Sequence, residues 1–263
     1  MKKRNLLFWI LLFAGCMVEP SKFSLASYEM FSRQKHGYET SGITFETKNE
    51  FFYIVSDSGF LTKLDKNGKE LKTWKIKGDL EGVTVVPFLN NAVFIIEEDE
   101  DKILHYDTAN SKLVSEYKIG DLVKKEIKAE SIAFMPIKDQ AKGYFLVGSQ
   151  KSARIYSFFA DFTGDVEIKF HKEIIKDKLI EDVSGLFYDN LNNDLWILSD
   201  KKNHIVIFNM EKNKIVNLIN IPGKHQEGLF VIGCRAYITE DRSGTINVLD
   251  LNQYKTISDC GSE

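Results

Sequence analysis

Glu81, Glu130 and Glu227 each open a copy of one short phrase, and Ser41 and Ser184 open two more. The five copies are Ser41-Gly42-Ile43-Thr44-Phe45, Glu81-Gly82-Val83-Thr84-Val85, Glu130-Ser131-Ile132-Ala133-Phe134, Ser184-Gly185-Leu186-Phe187-Tyr188 and Glu227-Gly228-Leu229-Phe230-Val231. Further along four of the copies a second set of acids recurs, at Asp57, Glu98, Asp200 and Asp241. Carboxylates held within a few ångströms of one another raise each other's pKa or are neutralised by a cation. An all-oxygen set with no His or Cys at a repeated position suits Ca²⁺ or Mg²⁺ and not Zn²⁺, so calcium is the expected cofactor, held by Glu81, Glu130 and Glu227. The same side chains could instead accept hydrogen bonds from backbone N–H groups of the next repeat and act as pins; the sequence leaves both open. The acidic run 97–101 reads as a solvated loop. His225, two residues before Glu227, reads as a surface residue, and no catalytic residue stands out.

The elements that must position these residues are strands. The phrases recur at spacings of 40, 49, 54 and 43 residues, in the range of propeller blades and helical arrays. Short β-branched and aromatic runs, separated by Asn, Asp, Gly and Lys turns, exclude the arrays. The first unit contains four such runs, 42–45, 51–55, 60–64 and 71–76, and the fourth repeats them at 186–188, 195–198, 205–208 and 215–219. The sequence therefore predicts an all-β, five-bladed propeller of four-stranded antiparallel blades, with six blades as the alternative. The fifth unit has three clear runs, 228–232, 236–239 and 245–249, so ring closure requires a fourth. Residues 25–32 precede the first phrase as 71–77 precede the second, and they are expected to supply it; residues 255–258 are the alternative. In a propeller each phrase starts an innermost strand, and the second strand returns to the same face. Glu81, Glu130 and Glu227 should thus ring one mouth of the axis with Ser41 and Ser184, backed by Asp57, Glu98, Asp200 and Asp241.

The chain has 263 residues, 43% apolar, with 35 Lys and Arg against 38 Asp and Glu and a net charge of −3. No basic field is available for a nucleic-acid backbone, so nucleic acid is not an expected partner. Lys2, Lys3 and Arg4 precede an apolar run at 6–14, far short of the roughly 20 residues of a spanning helix, which is the pattern of an export signal. It ends in Phe13-Ala14-Gly15-Cys16, which resembles the lipobox of bacterial lipoproteins. The expected organisation is a signal peptide at 1–15, a lipidated Cys16 with a short tether to residue 24, and one propeller domain over 25–263. Acyl chains on Cys16 would anchor the chain on a membrane without a spanning helix. Met17 stands where Asp would commonly direct inner-membrane retention, which favours the outer membrane in a two-membrane cell. Outside the cytoplasm Cys234 and Cys260 could pair or remain thiols.

The five phrases, with Phe52-Tyr53-Ile54-Val55-Ser56-Asp57, Leu64-Asp65-Lys66-Asn67-Gly68-Lys69, Leu80-Glu81-Gly82-Val83 and Leu195-Trp196-Ile197-Leu198-Ser199-Asp200, resemble the SdiA-regulated (YjiK-like) family of bacterial envelope proteins over roughly residues 25–250. The resemblance implies a β-propeller outside the cytoplasm, with acidic first-strand positions at Glu81, Glu130 and Glu227. It also implies a distant relation to calcium-dependent propellers such as phytases and lactonases. The His pair and basic phosphate-binding cluster of those enzymes have no counterpart here. Two functions follow: a lipid-anchored binding module for a small polar ligand or an envelope protein, or a calcium-dependent hydrolase of an ester or phosphoester.

Overall fold

The computed structural model describes residues 27–32, 39–175 and 177–254. Among them, twenty strands form five four-stranded antiparallel sheets. Strand β1 is Ser27–Ser32. The first blade is β2 (Thr40–Glu46), β3 (Phe51–Ser56), β4 (Phe60–Asp65) and β5 (Glu70–Lys75); the second is β6 (Leu80–Val85), β7 (Ala92–Glu97), β8 (Lys102–Asp107) and β9 (Lys112–Lys118). A five-residue helix, α1 (Ile119–Val123), precedes the third blade: β10 (Ala129–Pro136), β11 (Lys142–Ser149), β12 (Ile155–Asp161) and β13 (Glu167–Ile175). The fourth blade is β14 (Gly185–Asp189), β15 (Asp194–Ser199), β16 (His204–Asn209) and β17 (Lys214–Asn220), and the last is β18 (Gln226–Ile232), β19 (Arg235–Glu240) and β20 (Thr245–Asp250), completed by β1. The chain is a five-bladed propeller, as the repeat predicts.

The burial of each strand follows its radius. Second strands lie between neighbouring blades and are covered on both faces, so Phe52–Val55 and every residue of β7 are buried, and these segments read as unbroken apolar runs. Outermost strands such as β5 and β9 are largely exposed, which explains their Lys and Glu content. Five apolar cores fill the gaps between blades. The core that closes the ring joins Ile43, Phe45, Phe52, Ile54 and Leu64 of the first blade to Tyr237, Ile246 and Val248 of the last.

Closure uses the N-terminal strand. β1 pairs antiparallel with β20, from Ser27 opposite Leu249 to Ser32 opposite Thr245, with a bulge between Glu29 and Phe31. The expected segment began at Leu25; Leu25 and Ala26 lie outside the described residues, as do 255–258 and Cys260.

Around the axis the second residue of the phrase is where neighbouring innermost strands touch. A Cβ at Gly82 would sit 2.8 Å from Ile132 N and 2.9 Å from Ser131 Cα, both backbone atoms of β10. Backbone cannot swing aside as a side chain does. Gly82→Ala should therefore cost about 1–3 kcal/mol, as overpacking does. Denaturant unfolding at equilibrium checks this; a loss within a few tenths of a kcal/mol would mean that the blades are not packed this closely at the axis.

Candidate functional site

The three predicted glutamates are presented by one local device. In β6/β7 the register jumps between Leu80 and Val83, in β10/β11 between Ala129 and Ser131, and in β18/β19 between Gln226 and Gly228. Glu81, Glu130 and Glu227 each fall in the bulge, where the extra residue leaves the ladder and its side chain is re-aimed. β2 carries the same shift between Thr40 and Ile43, which places Ser41 in the corresponding position. The fourth blade departs: Ser184 precedes β14, its N–H donates to Leu198 O at 3.1 Å, and it is buried.

The bulged glutamates converge. Burial first, then the charges of Glu130, Asp79, Glu227 and Glu98, hold Glu81 well above the usual carboxylate range. Glu130 is only 4% exposed; burial, then Glu227 and Glu98, raise it to about 9. Burial, then Asp200 and Asp241, raise Glu227 to about 7. Gln150 Nε2 donates to Glu130 Oε1 at 3.2 Å. Glu130 Oε2 and Glu227 Oε2 are both buried and receive no N–H or O–H donor. The two carboxyls lie close enough to share a proton when one of them holds it.

Around this pair stand two groups of three acids, each with ligand atoms within 4.8 Å of one another: Asp79, Glu81 and Glu98, and Glu39, Asp57 and Asp241. Two oxygens on opposite sides of one Ca²⁺ are about 5 Å apart, so either group has the span of a single ion. Asp57 Oδ1, Asp79 Oδ1 and Asp241 Oδ1 are buried and likewise without a donor. Burial, then the Glu39 carboxyl, lift Asp57 to about 7. Burial is also the leading cause of the upward shifts of Asp79, Glu98 and Asp241. Lys128 stands beside Glu98 and Asp79, and Arg242 and the His225 ring beside Asp241. They leave the mouth strongly acidic.

Other acids of the same face are pins. Asp200 Oδ1 accepts Gln226 N–H at 3.0 Å, tying the fourth blade to the fifth. Asp101 accepts Ile127 N–H at 2.7 Å and Ala129 N–H at 2.9 Å, tying the second to the third. The run 97–101 is thus not a solvated loop as a whole. Glu97 and Asp101 are buried, and only Asp99 and Glu100 are exposed, because the turn folds its last residue under the next blade.

Glu39 and Asp79 were not among the expected site residues, although a signal for them exists. Glu39, Asp79, Lys128, Asp182 and His225 all stand two residues before the first residue of a phrase. In three blades the carbonyl at that position accepts an N–H from the end of the second strand or the turn after it: Glu98 to Asp79 at 3.0 Å, Gln150 to Lys128 at 3.1 Å and Asp241 to His225 at 2.9 Å. His225 thus sits in a repeated position of the mouth and faces Asp241. Asp182 is taken up locally, accepting Ser199 Oγ and, at 3.2 Å, Lys201 N–H.

Comparison with known proteins fits this arrangement. The model of the SdiA-regulated family matches residues 27–249, which spans all five blades. The chain belongs to the SdiA-regulated family. Comparison with curated proteins finds no match. Among solved structures, a chain of the nidogen/laminin complex superposes with a TM-score of 0.57 at 15% identity, covering 83% of this chain and 78% of that one. The β-propeller domain of Myceliophteria thermophila Cps50 (Swd1) gives 0.46 at 10% identity, covering 81% and 64%. The first likeness is one of fold alone.

Raised carboxyl pKa values make a sign-definite prediction for the SdiA-regulated chain in chelator. A carboxyl whose folded pKa exceeds its unfolded value adds stability that is complete below the unfolded pKa and lost as pH rises through the folded one. Asp57 and Glu227 place that loss near pH 7 and Glu130 places it near pH 9. The metal-free melting temperature should therefore fall steadily from about pH 5 to about pH 9. A flat or rising profile over that range would show that the mouth is well solvated.

Proposed function

We propose that the chain is a binding module displayed on the cell envelope, anchored by lipid on Cys16, whose acidic axial mouth takes a hard divalent cation, calcium first, and through it a small polar ligand. The observation that carries the reading is the set of five buried carboxyl oxygens, on Asp57, Asp79, Glu130, Glu227 and Asp241 at one mouth, whose nearest polar neighbours are other carboxyls rather than N–H or hydroxyl donors. A native protein rarely leaves such atoms unpaired, and a bound cation satisfies them. Asp79, Glu81 and Glu98 would hold one ion and Glu39, Asp57 and Asp241 would form a second site beside the Glu130–Glu227 pair, and Asp200, already engaged by Gln226 N–H, would stand outside both. Calorimetric titration of the mature chain with CaCl₂, with MgCl₂ as comparison, tests this. Saturable calcium binding lost in Glu130→Gln supports it, and no binding at millimolar calcium overturns it.

Hydrolysis of an ester or phosphoester is the second reading. It is favoured by the adjacency of two buried carboxyls, Glu130 and Glu227, whose burial and mutual repulsion raise their pKa values so that the pair holds a proton into the neutral range. A calcium-dependent rate on a chromogenic ester, abolished in Glu227→Gln, would support that reading.

The anchor rests on the sequence of residues 1–16; among the described residues no helix is long and apolar enough to cross a membrane. The wild type should partition into the detergent phase on phase separation and Cys16→Ser should stay in the aqueous phase. Equal partitioning of the two would remove the anchor from the proposal.

A further inference from the structure

The two ends of the axis differ in the residues that the repeat places there. Innermost strands start at the mouth with the Ser or Glu of each phrase; three residues on, towards the opposite face, the five phrases carry Thr44, Thr84, Ala133, Phe187 and Phe230. This fourth position breaks the symmetry of the ring. The first three blades supply short side chains there and the last two supply phenyl rings, where five residues of one intermediate size would fill the axis evenly. The mixture leaves a cavity of ≈ 140 Å³, to which all five residues contribute.

The walls of this cavity are largely aromatic. Phe230 meets Phe187 edge to face, with 4.7 Å between ring centroids, and Phe45 at 6.2 Å, so rings from three blades form one wall. Phe134 lines the side of the third blade. A cavity of about this volume with apolar walls takes a molecule the size of benzene, and a further ring would gain edge-to-face contacts with those already there. Two polar groups are set among the rings. Thr44 is 3% and Thr84 6% exposed, and neither hydroxyl has a hydrogen-bond partner among the described residues. Unpartnered polar groups at such depth are rare in native proteins, and a hydroxyl can both donate and accept. The charged residues of the lining, Glu46 and Lys48, are engaged elsewhere. Glu46 accepts Asn49 N–H at 3.2 Å and Asn49 Nδ2 at 2.7 Å, and Lys48 Nζ donates to Asn90 Oδ1 at 2.9 Å. The interior therefore suits a ligand without charge.

We infer that the far end of the axis is a second binding site, separate from the acidic mouth, and that it takes a neutral single-ring aromatic molecule carrying a hydroxyl group, a ligand of the phenol class. The ring matches the volume and rests against Phe45, Phe187 and Phe230. Its hydroxyl donates to one of Thr44 and Thr84 and accepts from the other, which satisfies both buried groups at once. Three residues of strand separate the site from the first residues of the phrases, about 10 Å along the axis, so it requires neither calcium at the mouth nor lipid on Cys16.

The test follows the fluorine resonance of para-fluorophenol, with para-fluorotoluene as the probe that lacks the hydroxyl, each titrated with the mature chain in chelator. Saturable binding of para-fluorophenol, several-fold tighter than that of para-fluorotoluene, is expected. Thr44→Val combined with Thr84→Val keeps the shape of both side chains and should erase that preference by weakening para-fluorophenol alone. Ala133→Leu fills the cavity and should abolish binding of both probes with the melting midpoint unchanged or higher; should it fail to fold, Ala133→Val carries the same test with a smaller loss. Absence of saturable binding at millimolar probe overturns the inference. Equal affinity for the two probes, or a preference that survives the Thr double variant, overturns the assignment of the hydroxyl. Binding unchanged in a folded Ala133→Leu chain puts the probe elsewhere and overturns the site. Binding that requires calcium, or that is lost in Glu81→Gln combined with Glu227→Gln, places the probe at the mouth and overturns it as well, whereas failure of calcium to bind at the mouth leaves this site standing.

Discussion

At about pH 8, calcium at one hundred times its Kd is expected to raise the melting temperature of this propeller by about 5–10 °C over chelator. A ligand that binds only the folded state stabilises it by RT ln(1 + [L]/Kd), about 2.7 kcal/mol at that ratio. A domain of this size shifts its midpoint by about 2–4 °C per kcal/mol. The increment should shrink towards pH 5, because protons then occupy the carboxyls that calcium needs: Asp57 and Glu227 titrate near 7 and Glu130 near 9. Glu81→Gln combined with Glu227→Gln should abolish the calcium increment and, by removing like charges from a buried cluster, leave the chelator midpoint unchanged or higher at pH 8. This second half separates a cation site from a set of structural pins. If the double variant melts lower in chelator and calcium moves neither protein, the glutamates hold blades together and the metal reading fails.

Much of this geometry is legible in the residues, and the part that is not has a definite cause. Strand positions are legible because a second strand buried on both faces has to be apolar throughout; the run 51–55 grows by one residue in the structure, to Phe51–Ser56. The common bulge position of Ser41, Glu81, Glu130 and Glu227 follows the repeat because a repeat copies position as well as sequence, and Ser184 departs from it. What a period cannot convey is partnership. Asp57, Asp200 and Asp241 occupy the same place in three blades, yet Asp200 accepts the Gln226 N–H while Asp57 and Asp241 join Glu39. The difference lies in which backbone donor the next blade offers, a property of tertiary register. Bulges are hidden for the same reason, since Glu130 as the unpaired residue of β10 is defined by the strand opposite. Asp79 and Glu39 are not legible from the repeat because the connections that carry them vary in length and apolar content. Their fixed offset from the phrase emerges once the ring is known.

Deleting residues 17–33 is expected to have a still larger effect, lowering the midpoint by on the order of 10–20 °C and making the protein aggregate. β1 meets β20 over five register pairs; at about 1 kcal/mol for each ladder hydrogen bond, the loss is several kcal/mol before any packing is counted. The deletion also converts β20 from an inner strand to an edge, leaving the backbone from Thr245 to Asp250 without its outer partner and open to pairing with another chain. Removing 255–263 instead serves as the control and should move the midpoint little. If that truncation is the damaging one and loss of 17–33 is silent, the outer strand of the last blade comes from the C-terminal segment. The asymmetry has a kinetic side as well. β1 and β20 lie more than 200 residues apart, so this pairing has one of the longest sequence separations in the fold and should form late. Up to that point the ring is held by apolar packing of Phe45 and Phe52 against Tyr237 across the first and last blades. A peptide carrying residues 25–34, added in trans to the deleted chain, should therefore restore part of the midpoint, because the groove beside β20 is already framed when the missing strand arrives.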